Sequence, residues 1–178
     1  AFNVLGPLTN PAQPQYAAVG VAGSRMAPLI AGVFADRGRP AAVFRGDDGL
    51  DEVTIATSTP VRWGNGGKVT QYTLTPDALG IAAAPLESLR GGEASYNAQV
   101  ARDLLAGASG PVRDAVLVNT GLALAIADLD VAGTVLADDA ALAAAVRAGM
   151  STAAAAIDDG RAAALLERWV AVSSQSRD

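Results

Sequence analysis

The spacing of apolar residues changes several times along the chain, and each change marks an element. Tyr16 to Val21 is a short apolar run ending at Gly23-Ser24, which predicts a buried strand. From there Met26, Leu29, Ile30, Val33 and Phe34 recur at three- and four-residue spacing. That spacing predicts a helix capped by Ser24 and stopped at Gly38. Ala41 to Phe44 is a second short apolar run. Strand, helix and strand in this order predict a right-handed βαβ unit with parallel strands.

The next segment has a different texture. Val53 to Thr57 is rich in β-branched residues, a β-type composition. Val61-Arg62-Trp63 and Val69 to Leu74 flank Gly64-Asn65-Gly66-Gly67, the pattern of a hairpin with a glycine-rich turn. Thr75-Pro76-Asp77 predicts a short helix with Thr75 as cap and Pro76 in its first position. Pro85 to Leu89 reads as another short helical turn.

From Glu93 onward the period is helical. Asn97, Val100, Ala101, Leu104 and Leu105 form one stripe, ending at Gly107. Gly110-Pro111 starts a helix almost wholly apolar from Ala115 to Ala127, which predicts burial all round. Asp138 or Asp139 caps a helix over about 139–158, which Gly160 breaks, and Arg161 to Val172 is amphipathic. The tail, Ser173 to Ser176, is expected to fray. The expected class is therefore α/β: a largely parallel sheet flanked by helices, with a β-hairpin and a helical C-terminus.

Composition narrows the chemistry. The 178 residues suit one domain and are 51% hydrophobic and 17% charged. A chain of this size buries roughly 70% of its unfolded surface, enough for a core without cross-links. There is no cysteine and no histidine. Thiolate sites are thereby excluded, and any metal must be held by oxygen, which points to magnesium, calcium or manganese. The net charge is −5, and the basic residues, all arginine except Lys68, are scattered, which argues against nucleic acid as a partner. No uncharged run of eighteen apolar residues predicts a membrane span. The start of the chain has no basic signal-peptide region, and it lacks Met, so it is expected to begin inside a longer protein.

Two stretches are not explained by propensity. RGDDGLDE, residues 45–52, places Asp47, Asp48, Asp51 and Glu52 close together after the second predicted strand. In open α/β sheets the carboxyl end of the strands is where ligands bind. Clustered carboxylates there fit a hard divalent cation; a solvated Asp-Gly turn is the alternative. LGPLTNPAQP, residues 5–14, reads as a rigid, proline-pinned segment.

Taken together, FNVLGPLTNPAQP, GDDGLDE, YTLTPDALG, LESLRGGEASYNA and GPVRDAVLVN resemble the C-terminal half of an anthranilate phosphoribosyltransferase, from Phe2 to about Arg168. The resemblance implies phosphoribosyl transfer from phosphoribosyl pyrophosphate to anthranilate, with release of pyrophosphate, in tryptophan biosynthesis. It also implies Mg2+ held by Asp51 and Glu52, a cytoplasmic homodimer, and no nucleic acid or membrane partner. Residues 1–178 would be the α/β catalytic domain without the N-terminal helical domain and the glycine-rich pyrophosphate loop, and the chain alone would be inactive. No residue of this chain is assigned as catalytic, and the substrate contacts would lie largely upstream. The assignment requires Asp51 and Glu52 to face a pocket at the strand tips.

Two positions depart from the family pattern. Arg45 stands where His is usual; it is either a tolerated change at a strand end, a phosphate-gripping cation, or a partner for Asp47 or Asp48. Val118-Asn119-Thr120-Gly121 replaces an Asn-Ala-Ala run, and Gly121 is expected to mark a tight helix crossing. Asn119 reads as a satisfied core amide, Gly91-Gly92 as a plain helix start rather than an anion site, and Trp63 and Trp169 as packing residues. Thr9 and Asn10 are expected to shape the floor of the site. The alternatives are an enzyme resembling pyrimidine nucleoside phosphorylase, or an inactive or nucleic-acid-binding paralogue.

Overall fold

The structure, a computed structural model, describes residues 6–175. Strand β1 (Ala17–Gly20), helix α1 (Met26–Asp36) and strand β2 (Ala41–Phe44) form the predicted βαβ unit. β1 and β2 are parallel, with Ala17 opposite Ala41 and Gly20 opposite Phe44. α1 stops as expected: Gly38 takes φ 64°, and the N–H groups of Gly38 and Arg39 donate to the carbonyls of Ala35 and Phe34. Its start differs. Arg25 holds the cap position, no side chain caps the helix, and Met26 N–H donates to the Gly23 carbonyl instead.

All four residues of β2 are buried because both faces of the sheet are covered. Ala41 and Val43 pack with Val19, Ile30 and Phe34 under α1, while Ala42 and Phe44 join the larger core of Val61, Trp63, Leu122 and Ile126. β3 (Thr59–Asn65) and β4 (Lys68–Leu74) make the predicted hairpin. Gly66 and Gly67 turn it, both at positive φ (56° and 77°), as a two-residue type I′ turn requires.

The strand order is β1-β2-β3-β4. The α/β class, the flanking helices, the hairpin and the helical C-terminus are as expected. The sheet, however, is mixed rather than largely parallel among the described residues. The hairpin joins it directly, β3 running antiparallel to β2, and an antiparallel neighbour needs no crossover helix. The β-rich stretch over 53–57 forms no strand.

The remaining helices are α2 (Pro76–Leu79), α3 (Ala94–Leu105), α4 (Pro111–Val131), α5 (Asp139–Asp158) and α6 (Arg161–Gln175), with a 3-10 turn at Leu86–Leu89. Thr75 caps α2, accepting from Ala78 N–H at 3.2 Å, and Asp138 caps α5, accepting from Ala141 N–H at 2.8 Å. α4 is not buried all round. One stripe is, running through Leu117, Val118, Gly121, Leu122, Ala125 and Ile126. This stripe meets α5 at the crossing anticipated for Gly121. A Cβ on Gly149 would stand 2.5 Å from the Gly121 carbonyl oxygen, so both positions need glycine. α5 is long and apolar enough by composition to cross a membrane, yet its Leu142, Val146, Gly149 and Ile157 face is core.

α6 corrects two expectations. It runs through Ser173 and Ser174, whose hydroxyls donate to the Val170 carbonyl, rather than fraying there; Ser176 lies outside the described residues. Trp63 packs in the core as expected, but Trp169 is 69% exposed, because no residue of α6 is buried.

Candidate metal-binding loop at the strand tips

The acid loop leaves the carboxyl end of β2, next to the end of β1, where Val21 N–H donates to the Phe44 carbonyl. The loop closes on itself. Gly46 N–H donates to the Leu50 carbonyl at 2.8 Å and Gly49 N–H to the Gly46 carbonyl at 2.9 Å. Gly49, at φ 101°, supplies the left-handed turn.

Hydrogen bonds divide the four acids into two pairs. Asp47 accepts a hydrogen bond from the Ser58 hydroxyl. Asp48 accepts from Thr54 Oγ1 at 2.5 Å and from Leu50 N–H at 3.0 Å. These two carboxylates are structural: they lash the loop to the segment that follows. Among the described residues no hydrogen bond or ion pair engages Asp51 or Glu52. Both are exposed, so the described residues do not enclose them in the pocket that the sequence reading requires. Partial desolvation, and then the neighbouring charge of Asp51, holds the Glu52 carboxyl above its ordinary range. A cation placed between the two would reverse that shift.

The backbone carrying this pair is held on two sides. Before it, the Asp51 carbonyl lies on Gly20 at the end of β1; a Cβ there would stand 1.6 Å from the oxygen. After it, Asn119 of α4 grips Val53. Its Oδ1 accepts from Val53 N–H at 2.9 Å, and its Nδ2 donates to the Val53 carbonyl at 3.1 Å and to the Ala115 carbonyl at 2.9 Å. Asn119 is thus a satisfied amide, as expected. Thr54 and Thr59, both buried, continue the support: Thr54 N–H donates to Thr59 Oγ1 at 3.1 Å. Gly20 was not singled out from the sequence, although a glycine inside an apolar strand pattern is a recognised sign of close backbone approach.

Arg45 pairs with neither Asp47 nor Asp48. Its Nε donates to the Ala22 carbonyl at 3.0 Å, tying the acid loop to the turn between β1 and α1. Such a bond fits a tolerated structural change. Asn10 turns its own loop, accepting Ala12 N–H at 3.0 Å, and Arg37 anchors that loop through the Leu8 carbonyl at 2.6 Å. Asn10 also lines a groove of about 380 Å³ running along β1 to Gly20, whereas Thr9 lines a separate cavity beside α1. At Gly91-Gly92 the Gly92 N–H donates to Asn97 at 2.8 Å, so this amide is committed within the chain, as a plain helix start implies.

With this geometry in view, comparison with known proteins is specific. A sequence model of the glycosyl transferase family, a/b domain, matches residues 1–163. The chain is 55% identical over 173 residues to an anthranilate phosphoribosyltransferase of Streptomyces avermitilis, covering 97% of this chain and 47% of the relative. It is 53% identical, with the same two coverages of 97% and 47%, to the Arthrobacter sp. enzyme of that name. The solved anthranilate phosphoribosyltransferase of Thermus thermophilus matches with a TM-score of 0.75 at 35% identity, over 96% of this chain and 46% of that one. The Saccharomyces cerevisiae enzyme in complex with PRPP and Mg shares the fold, with a TM-score of 0.66 at 23% identity over 88% of this chain and 45% of that one. The chain spans about half the length of the curated relatives it matches.

Proposed function

The chain belongs to the glycosyl transferase family, a/b domain, and from that premise we propose that it carries the metal-binding wall of an anthranilate phosphoribosyltransferase of tryptophan biosynthesis. The observation that carries this reading is selective. Of four acids in one loop, the two that the family resemblance assigns to Mg2+, Asp51 and Glu52, are the two that no hydrogen bond or ion pair engages among the described residues. High identity to two enzymes of that name supports the same reading.

The residues fit the ion. Magnesium is commonly held by one or two carboxylates, with substrate phosphates and water completing its shell. Among the described residues no group of three or more His, Cys, Asp or Glu could hold a metal, so the pair would share the ion with phosphate oxygens. When bound, Mg2+ supplies stabilisation of the negative charge that develops on departing pyrophosphate. In the reaction the ribose C1–O bond to pyrophosphate breaks, a C1–N bond to the anthranilate amine forms, and the amine loses a proton. The acceptor is itself the nucleophile, so the chain need provide none. Its own part is placement: Asp47 and Asp48 close the loop, and Gly20 and Asn119 hold the backbone of the ligand pair. Enclosure of the site falls to the part of the relatives' length that this chain does not span.

In the complete polypeptide carrying this sequence, replacing Asp51 with Asn and Glu52 with Gln together removes magnesium-dependent pyrophosphate release and leaves the circular dichroism spectrum intact. A retained rate sinks the assignment. The same reading makes the complete protein a cytoplasmic homodimer that binds phosphoribosyl pyrophosphate and anthranilate; sedimentation and calorimetry with each substrate test these points.

A further inference from the structure

We propose that Asn119 is a positioning residue for the cation site, acting as a substitute strand partner for the backbone that carries Asp51 and Glu52; this rests on the function proposed above. In a β-ladder a residue exchanges one N–H···O and one O···H–N bond with the residue opposite. Val53 makes this exchange with a side chain. Its N–H donates to Asn119 Oδ1 at 2.9 Å and its carbonyl accepts from Nδ2 at 3.1 Å. The third bond, from Nδ2 to the Ala115 carbonyl at 2.9 Å, anchors the carboxamide to its own helix, so the amide has no freedom to rotate. It commits one acceptor and two donors at once.

The consequence is directional. Val53 follows Glu52 directly and is buried, with a relative exposure of 1%. On the other side the Asp51 carbonyl rests on Gly20. Glu52 is bracketed by these fixed points, and Asp51 carries its side chain on the Cα next to the first of them. Where Glu52 stands, and with it the neighbouring Asp51, is therefore set in part by α4 through one side chain, together with the Gly20 contact, and not by the loop alone. An amide is required here because it alone both donates and accepts in a flat, two-pronged geometry. Aspartate would keep the bond from Val53 N–H and lose both donated bonds. Outer partners that orient metal ligands typically cost about 10- to 100-fold in affinity when removed.

The test uses the complete polypeptide with manganese as probe, read by the electron paramagnetic resonance signal of free ion in the presence of inorganic pyrophosphate. Asn119→Ala is expected to weaken manganese binding about tenfold or more and to raise hydrogen exchange at the Val53 amide. Asn119→Asp, which preserves the bond from Val53 N–H, is expected to fall between and keeps the test informative if the alanine variant does not fold. Asn97→Ala is the control for a purely structural loss. Asn97 grips Gly92 in the same two-pronged way, at 2.8 Å on both arms, with no hydrogen bond to the acid loop among the described residues; its loss should leave manganese affinity unchanged. If folded Asn119 variants bind manganese as the parent does, the positioning role is overturned while the function stands. If the parent binds no manganese, or binds it equally well after the Asp51→Asn and Glu52→Gln changes, the metal reading fails and this proposal fails with it.

Discussion

Gly20 has room for a hydrogen and nothing more. Alanine there would put its Cβ 1.6 Å from the Asp51 carbonyl oxygen, so the backbone of Asp51 and Glu52 would have to move. Gly20→Ala is expected to cost about 1–3 kcal/mol, the range for overpacking, and to weaken manganese binding; urea denaturation and metal titration check the two effects separately. Glu52 gives a prediction with a sign. Its folded carboxyl is raised above its ordinary range, by partial desolvation and then by Asp51, so folding favours the neutral form. Its contribution to stability is therefore complete below the unfolded glutamate range and is lost as pH rises through the raised folded value. Glu52→Gln stays neutral throughout. It should match the parent in stability at acid pH and exceed it near neutrality, as measured by denaturation at both. Metal binding to the parent should strengthen over the same rise, because protons then cease to compete. Arg45, by contrast, offers a loop tie to Ala22 and no contact with the acids.

Among the elements, α4 and α5 form the contact on which the larger core depends. Their backbones touch at Gly121 and Gly149. In an isolated helix Gly149→Ala would gain about 1 kcal/mol in propensity. Here the new Cβ meets the Gly121 carbonyl oxygen at 2.5 Å, so the helices must separate. The variant should lose about 1–3 kcal/mol despite the better propensity, seen as a lower urea midpoint with an unchanged slope. A gain in stability would mean that the crossing is looser than described. The segment at 53–57 teaches a related lesson. Its composition is that of a strand, and Val53 does make a strand-like pair of hydrogen bonds, but with Asn119 of a helix. Nothing local distinguishes the two partners, because the preference for extended backbone is satisfied by either. The hairpin was legible for the opposite reason: Gly66-Gly67 carries its own turn geometry.

At the scale of the whole molecule, the βαβ unit brings the carboxyl ends of β1 and β2 side by side, and the acid loop issues from that edge. The exposure of Asp51 and Glu52 and the half-length match to the relatives together predict a division of labour. The 178-residue chain alone should release no pyrophosphate from phosphoribosyl pyrophosphate and anthranilate. A chimera in which it replaces the matching 173-residue segment of the Streptomyces avermitilis relative should do so in a magnesium-dependent way. An inactive but folded chimera would overturn the proposed function of this chain.

Sequence alone reached much of what depends on neighbours along the chain, though not the start of α1, where no side chain caps the helix. Periodicity located the helices, glycine and proline placed their ends and the hairpin turn, and the absence of histidine and cysteine restricted any metal to oxygen ligands. The family resemblance selected Asp51 and Glu52 from four similar acids. Tertiary structure decided what depends on residues distant in sequence. It showed that Asp47 and Asp48 are occupied by Ser58 and Thr54, that the Asp51 backbone needs a glycine at position 20, and that a helix amide 66 residues away completes Val53. The physical reason is that hydrogen bonds and steric contacts form between whatever the fold brings together, whereas propensity records only what each residue does beside its immediate neighbours.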